Sequence, residues 1–202
     1  MIADIGNHMF DTTIVRRFIM ANIAVFCSAN DTISKDYFTA AAELGHYLAE
    51  HHHVLVYGGC SLGLMECIAK AVHDEGGNSI GVVPSIIEEN GKTSQFVSKL
   101  IKCENLTDRK QIMMDQSDIF IALPGGLGTI DEIFTVVASQ TLNYHHKMVI
   151  LYNVNGFWDS CIAMLDDLQS KGVMRKHYSN QILVANSLNE IDQMISNLLQ
   201  NA

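Results

Sequence analysis

Short apolar runs alternate along the chain with longer segments whose apolar positions recur at helical spacing. The short runs are partly β-branched and end in glycine or polar residues, which is typical of strands buried on both faces. We predict strands at 22–29, 53–59, 78–84, 99–105, 118–124, 147–153 and 181–186. We predict helices at 34–52, 62–77, 108–117, 128–144, 156–172 and 188–200, and a surface loop at 85–97.

This alternation predicts the doubly wound α/β class, with a mostly parallel sheet covered by helices on both faces. No repeat, low-complexity tract or linker divides the chain, and 202 residues suit a single domain with a full core. Met20 directly precedes the first predicted strand. We therefore expect one domain at 20–202 and treat 1–19 as an N-terminal extension, either a loose segment or sequence translated from a misassigned start.

Charge and composition restrict the partners of this domain. The 22 acidic and 13 basic side chains give a formal net charge of -9, which disfavours nucleic acid and membrane surfaces but leaves room for a small anion held by backbone dipoles. No apolar run approaches the roughly 18 residues of a membrane helix, and the N-terminus does not resemble a signal peptide. The five cysteines are scattered without a CxxC pair, which predicts reduced thiols in a cytoplasmic protein.

Ligands of doubly wound proteins bind beyond the carboxyl ends of the strands, so a glycine-rich segment after the strand at 118–124 is of particular interest. It consists of Pro124, Gly125, Gly126, Leu127, Gly128 and Thr129. Glycines let backbone N–H groups approach a ligand, and the start of the following helix favours an anion such as phosphate. The spacing matches neither a Walker loop nor the GxGxxG fingerprint. The alternative is a tight turn that needs glycine only to fold.

A second glycine-rich strand exit, YGGCSLGLM, contains Gly58 and Gly59. We expect one of the two loops to hold phosphate and the other to let a base or ribose lie close. The spacing does not decide which loop does which.

Two adjacent carboxylates, Asp131 and Glu132, follow the loop at 124–129. Thr129 and Glu132 have the spacing of a capping box, in which Thr caps the helix and Glu bonds back to the cap N–H. The alternative is functional, because carboxylates beside a phosphate site can bind ribose hydroxyls, stabilise an oxocarbenium-like centre or activate water. Both interpretations are open at this point.

Arg109 and Lys110 fall in the first turn of a predicted helix capped by Asn105 or Thr107. Cations there oppose the helix dipole, which hints at ligand binding, although solvated arginines are common. The histidines at 51–53 end a helix and lack an acidic pattern for a metal site, so we expect no metal.

Three motifs together resemble the Lonely Guy (LOG) family, which is also labelled lysine-decarboxylase-like. They are VYGGCSLGLM at 56–65, DRK at 108–110 and LPGGLGTIDE at 123–132. The family signature PGGxGTxxE is met in full, ending at Glu132. The resemblance implies a Rossmann-like homodimer that hydrolyses the N-glycosidic bond of purine-type nucleoside 5′-monophosphates, such as AMP or cytokinin riboside monophosphates. The implied products are the free base and ribose 5-phosphate, and we expect that no cofactor is required.

The resemblance also implies roles for individual residues. Glu132 and Arg109 would be the catalytic pair, the loop at 124–129 would hold the phosphate, and Asp131 would lie near the ribose. Ser28 matches the turn after the first strand, and we include Gly58, Gly59 and Lys110 among the substrate-binding residues. The rival hypothesis is a non-catalytic nucleotide-binding or carrier protein on the same fold.

This chain departs from the family pattern at three places. Cys60 and Glu66 stand where the family has glycine, and Leu106-Thr107 replaces a frequent Met-His pair. Because these positions are expected near the base, they bear on its identity rather than on the reaction type. Decarboxylation with pyridoxal phosphate needs a Schiff-base lysine in the pocket, and nothing in the sequence marks Lys110 as neutral or buried.

Overall fold

The computed structural model describes residues 20–201, so the predicted extension at 1–19 lies outside the described residues. A single sheet of seven parallel strands forms the centre of the domain, in the order β4-β3-β2-β1-β5-β6-β7. The strands are β1 Asn22–Phe26, β2 Val54–Tyr57, β3 Ser79–Pro84, β4 Lys99–Cys103, β5 Ile119–Ala122, β6 Val149–Tyr152 and β7 Ile182–Ala185. The predicted α/β class is confirmed, and all strand pairs in this sheet are parallel.

Helices connect the strands and cover both faces of the sheet. They are α1 Lys35–Glu50, α2 Gly63–Asp74, α3 Ser85–Glu89, α4 Leu106–Gln116, α5 Leu127–Thr141, α6 Asp159–Ser170 and α7 Leu188–Gln200. Residues of α1, α2 and α7 form one hydrophobic cluster against the sheet, and residues of α4, α5 and α6 form the other. Successive β1 residues alternate between the clusters, as the period of two along a strand requires.

The strand order places a topological switch point between β1 and β5. The chain runs outward from β1 through β2 and β3 to β4, and then returns to pair β5 with the other side of β1. The loops after these two strands consequently diverge over opposite faces of the sheet, and the crevice between them is where such folds bind ligands.

The structure corrects several predicted boundaries. The segment at 85–97 is not wholly a loop, because it begins with the short helix α3. Helix α4 begins at Leu106, and Asn105 caps it by accepting hydrogen bonds from the N–H groups of Thr107 and Asp108 at 2.9 and 3.0 Å. Helix α6 begins at Asp159, since a short 3-10 turn precedes it. None of the helices in residues 20–201 has the length and apolar character needed to cross a membrane.

Candidate active site

Three strand exits are tied together at the switch point. The Ser28 N–H, just beyond β1, donates to the Pro124 carbonyl beyond β5 at 3.1 Å. The Leu64 N–H at the start of α2 donates to the Ser28 carbonyl at 2.9 Å. Gly63 has a φ of 58° and no room for a Cβ against residues 28–30, so only glycine lets α2 approach this closely.

Helix α5 presents its amino end at the same place. Its N-cap is Gly126, which offers no side-chain hydrogen bond, so the first N–H groups of the helix remain available to a ligand. A Cβ on Gly125 would overlap the Thr129 side chain, whereas Cβ atoms on Gly126 and Gly128 would meet nothing within 4 Å. The first glycine therefore lets the turn close, and the other two leave open space beside the helix start.

A cleft of about 420 Å³ lies between these elements. Its lining includes the predicted site residues Ser28, Arg109, Gly126, Gly128, Thr129 and Glu132. It also includes Cys27, Ala29, Asn30 and Met65, which were not predicted. Cys27, Ala29 and Asn30 directly follow β1, so their position after a strand was the signal that could have identified them. Met65 belongs to α2 and reaches the cleft only through helix packing.

An ion pair forms part of the cleft lining. Arg109 Nη1 lies 3.3 Å from Glu132 Oε1, and the two side chains are 13% and 6% exposed. Arg109 Nε also donates to the Val82 carbonyl at 3.3 Å. A Cβ on Gly58 would overlap Arg109 Nη2, so the predicted glycine at the end of β2 makes room for the guanidinium. Four elements, β2, β3, α4 and α5, thus position this pair.

Burial changes the acidity of Glu132. Removal from water raises the pKa of this carboxyl group to about 7, with Arg109 opposing the rise and Asp131 adding to it. Glu132 therefore exchanges its proton near neutral pH, which suits a general base or a charge stabiliser. Burial, reinforced by the charge of Glu132, raises the pKa of the neighbouring Cys27 thiol and keeps it protonated.

The capping-box interpretation of Thr129 and Glu132 is wrong. Helix α5 begins at Leu127, so Thr129 and Glu132 lie inside it, and its N-cap is Gly126. The Glu132 carboxylate contacts Arg109, as an ion pair between two helices. The acidic side chain of Glu132 is therefore explained by its ion pair in the cleft rather than by capping at the start of the helix.

Four other predicted residues lie beside the cleft without lining it. Lys110 Nζ and Asp131 Oδ2 form an ion pair at 2.7 Å, with the Asp131 side chain 58% exposed. A hydrogen bond from a ribose hydroxyl to the Asp131 carboxylate would therefore compete with the ion pair that this carboxylate makes with Lys110. Leu127 is 85% exposed. Gly59 has a φ of 66° and packs against Val83, which indicates a role in the turn after β2.

A second cavity, of about 250 Å³, adjoins the cleft across the glycine loop. It shares Ser28, Asn30 and Gly126 with the cleft and is also lined by Pro124 and Gly125. Its remaining lining residues are Ile33, Tyr37 and Phe157, all of them apolar or aromatic. Every predicted loop residue from 124 to 129 except Leu127 therefore lines one of the two cavities.

Comparison with known proteins identifies the family. A family model described as "Possible lysine decarboxylase" matches residues 65–195. The cytokinin riboside 5′-monophosphate phosphoribohydrolase LOG2 of Arabidopsis thaliana is 36% identical over 173 residues, which is 86% of this chain and 81% of the relative. The enzyme LOG of Oryza sativa subsp. japonica is 36% identical over 176 residues, 87% of this chain and 73% of the relative. The chain belongs to the LOG family.

A more distant solved structure shares the fold of this LOG family member. The Moco carrier protein from Chlamydomonas reinhardtii superposes with a TM-score of 0.71 at 23% identity, covering 91% of this chain and 100% of the carrier. At that identity the similarity concerns architecture alone.

The decarboxylase wording of the family model does not fit the geometry of this LOG protein. A pyridoxal phosphate enzyme needs a lysine in the pocket whose amine attacks the cofactor. Lys110 is instead ion-paired with Asp131 and does not line the cleft. Within residues 20–201, no three His, Cys, Asp or Glu side chains are grouped as metal ligands.

Proposed function

We propose that this protein hydrolyses the N-glycosidic bond of a purine-type nucleoside 5′-monophosphate, such as AMP or a cytokinin riboside monophosphate. The products are the free base and ribose 5-phosphate. The observation that carries the proposal is the nearly buried Arg109–Glu132 pair, which shares one cleft with the uncapped amino end of α5. The activity in the names of the relatives from Arabidopsis and rice supports the same reaction.

The phosphate would bind at the amino end of α5. Gly126, Gly128 and Thr129 line the cleft there, and no side chain caps the helix. The unpaired N–H groups of the first turn and the helix dipole both favour an anion. This anchor is remote from the bond that breaks, so its binding energy serves to position the sugar.

The sugar would then extend toward Glu132, which lies in the second turn of α5. As the bond between C1′ and the base breaks, positive charge develops on the ribose ring and the ionised carboxylate stabilises it. The C1′–N bond breaks as a water oxygen bonds to C1′, one water proton passes to Glu132, and Glu132 then gives a proton to the ring nitrogen of the departing base. A carboxyl group with a pKa of about 7 is suited to both accepting and returning that proton.

Arg109 would hold Glu132 in position and keep a useful fraction of it ionised. Its guanidinium is fixed by the Val82 carbonyl and by the space at Gly58, and its charge opposes the rise in the pKa of Glu132. Arg109 also lines the cleft, so its guanidinium can stabilise the negative charge that develops on the departing base.

We further propose a homodimer in the cytoplasm. Leu106, Leu127, Leu142 and Tyr144 are exposed apolar side chains of α4, α5 and the turn after α5, and such side chains are typical of a contact face. The five cysteines are unpaired in the structure, as a reducing compartment requires. Light scattering during size-exclusion chromatography measures the oligomeric state directly, and a monomer at micromolar concentration would contradict the dimer.

The reaction is tested by incubating the purified protein with a panel of nucleoside 5′-monophosphates and detecting free base by chromatography. We expect base release from at least one purine nucleotide, and no release from the matched nucleoside that lacks phosphate. Tight binding of a nucleotide without release of base from any of them would favour the carrier hypothesis instead.

A further inference from the structure

The second cavity, of about 250 Å³, has no part in the proposed reaction. The glycine loop lines it through residues 124–126, and the side chains of Ile33, Tyr37 and Phe157 line it as well. These three side chains are only partly buried. Concave sites with mostly apolar or aromatic lining and a few polar groups are typical of small-molecule binding. We call this site the apolar cavity.

The walls of the apolar cavity are fixed by contacts within the protein. The rings of Tyr37 and Phe157 meet edge to face with their centroids 5.5 Å apart. Phe157 also packs edge to face against Trp158 at 4.9 Å, and the buried Trp158 donates from Nε1 to the Ala122 carbonyl at 3.1 Å. These contacts connect α1, the segment after β6 and the end of β5. An occupant would therefore enter a preformed site, which favours binding.

The boundary between the apolar cavity and the cleft offers hydrogen-bond donors. Ser28, Asn30 and Gly126 line both sites. Asn30 Oδ1 accepts from the N–H and the hydroxyl of Thr32, both at 2.8 Å, so the amide of Asn30 directs its oxygen to Thr32 and keeps its NH₂ group as a donor. Ser28 Oγ accepts from the Asn30 N–H at 3.1 Å, which leaves its hydroxyl hydrogen to donate. Donors at this boundary suit phosphate oxygens.

The apolar cavity lies on the side of the proposed phosphate position away from the catalytic pair. The cleft is lined by Gly126, Gly128, Thr129 and Glu132 along α5, whereas the apolar cavity is lined by Gly126 and the loop residues before it, back to Pro124. A nucleotide with phosphate at Gly126 and C1′ at Glu132 would place its sugar and base in the cleft. Only a group attached to the phosphate itself would then reach the apolar cavity.

We propose that the apolar cavity binds an uncharged aromatic or aliphatic group esterified to the 5′-phosphate, so that nucleoside 5′-phosphodiesters are ligands of this protein. The inference rests on the proposed function, from which it takes the position of the phosphate. None of the eight residues that line the apolar cavity is charged, so a second phosphate would find no cation there. A phosphodiester keeps one negative charge for the amino end of α5, and its ester group can pack against Tyr37 and Phe157.

The test compares the phenyl and methyl esters of AMP, in which the ester group is on the phosphate. The two ligands carry the same nucleoside and the same charge, and they differ only in the apolar group that would enter the cavity. Their dissociation constants are measured by calorimetry with Glu132→Gln, which should bind them without turnover. We expect the phenyl ester to bind at least about 10-fold more tightly, because the cavity removes its ring from water.

Two cavity variants and one control locate the effect. Ile33→Phe fills the apolar cavity and should abolish the preference for the phenyl ester. Phe157→Leu removes one aromatic wall and should lower the preference by about 3-fold or more, which tests the cavity even if Ile33→Phe fails to fold. Val173→Phe is the matched control, because it adds the same aromatic side chain at a position that is 67% exposed and outside both cavities, and it should leave the preference unchanged.

The outcomes separate this inference from the function on which it rests. Equal affinity for the two esters would overturn the inference, as would a preference that both cavity variants retain. Release of base from AMP by wild type would still support the hydrolase in either case. A preference for the phenyl ester that both cavity variants reduce, without release of base from any nucleotide by wild type, would support the apolar cavity and refute the hydrolase.

Discussion

Arg109 Nη1 lies 3.3 Å from Glu132 Oε1, and this contact joins helices α4 and α5 at the switch point of the sheet. The guanidinium is also held by the Val82 carbonyl and by the absence of a side chain at Gly58. A buried ion pair of this kind contributes little net stability, since desolvation offsets much of the attraction. Its presence is better explained by the chemistry that it places in the cleft.

Glu132→Gln should abolish most of the turnover and leave the fold intact. Loss of a general base or charge stabiliser typically lowers kcat by about 10²- to 10⁴-fold. Helix α5 does not need Glu132 as a cap, so the melting temperature should change little. Base release and thermal unfolding are the two measurements.

Asp131→Asn is the matched control for this variant, because Asp131 is adjacent, acidic and outside the cleft lining. We expect its kcat/KM to stay within about 10-fold of wild type, as an exposed ion pair contributes at most about 1 kcal/mol. Wild-type turnover by Glu132→Gln would refute the assigned role of Glu132.

The rate should depend on pH through Glu132. Only the ionised carboxylate can take a proton or stabilise positive charge, and the pKa of this group is about 7. We expect kcat/KM to rise with pH below about 7 and to level off above it, with a slope that approaches tenfold per pH unit. A profile that is flat from pH 5.5 to 8 with AMP would argue against an ionised Glu132 in the rate-limiting step.

Stability should show the opposite dependence on pH. The folded protein holds the Glu132 proton up to a pKa of about 7, whereas the ordinary value is 4.5, so the folded state binds more protons in between. The contribution of this group to the free energy of unfolding is full below pH 4.5 and is lost as the pH rises through about 7. The full loss is about 3 kcal/mol. Chemical denaturation of wild type and Glu132→Gln at pH 5 and pH 8 measures it, and an equal pH response of both proteins would contradict the burial effect.

Two neighbouring glycines should respond differently to alanine. Gly126→Ala adds a methyl group to open space in the cleft, so it should weaken nucleotide binding at nearly unchanged stability. Gly125→Ala forces overlap with the Thr129 side chain and should lower stability, by about 1–3 kcal/mol for overpacking of this kind. KM for AMP and the midpoint of urea unfolding distinguish the two. If Gly126→Ala bound AMP as tightly as wild type, the phosphate would have to lie elsewhere.

Gly58→Ala should act through Arg109. The new methyl group would occupy the position of Arg109 Nη2 and displace the guanidinium from Glu132. We expect Gly58→Ala and Arg109→Ala each to lower kcat, and the double variant to lower it hardly further, because both remove one contact. Additive losses in this double-mutant cycle would show that Gly58 matters for another reason.

Local sequence patterns are sufficient to predict the class of the fold and the positions of the two glycine loops. Buried parallel strands leave continuous apolar runs, and helices leave a period of 3.6, so both are readable from local patterns. The motif ending at Glu132 is specific enough to indicate the family without the structure. Local patterns did not place the helix boundaries correctly. The capping box predicted a cap at Thr129, whereas the N-cap of α5 is Gly126, about one turn earlier. This shift puts Glu132 inside the helix, where it faces the cleft instead of capping the helix.

The contacts between the site residues depend on how the strands and helices are arranged in space. Arg109 and Glu132 come together because β5 returns to pair with β1 after the excursion to β4, and that crossover has no local signature. The same packing pairs Asp131 with Lys110 and brings Met65 to the cleft. Contacts between residues distant along the chain depend on the packing of whole elements, whereas hydrophobic periodicity reflects only the structure within each element.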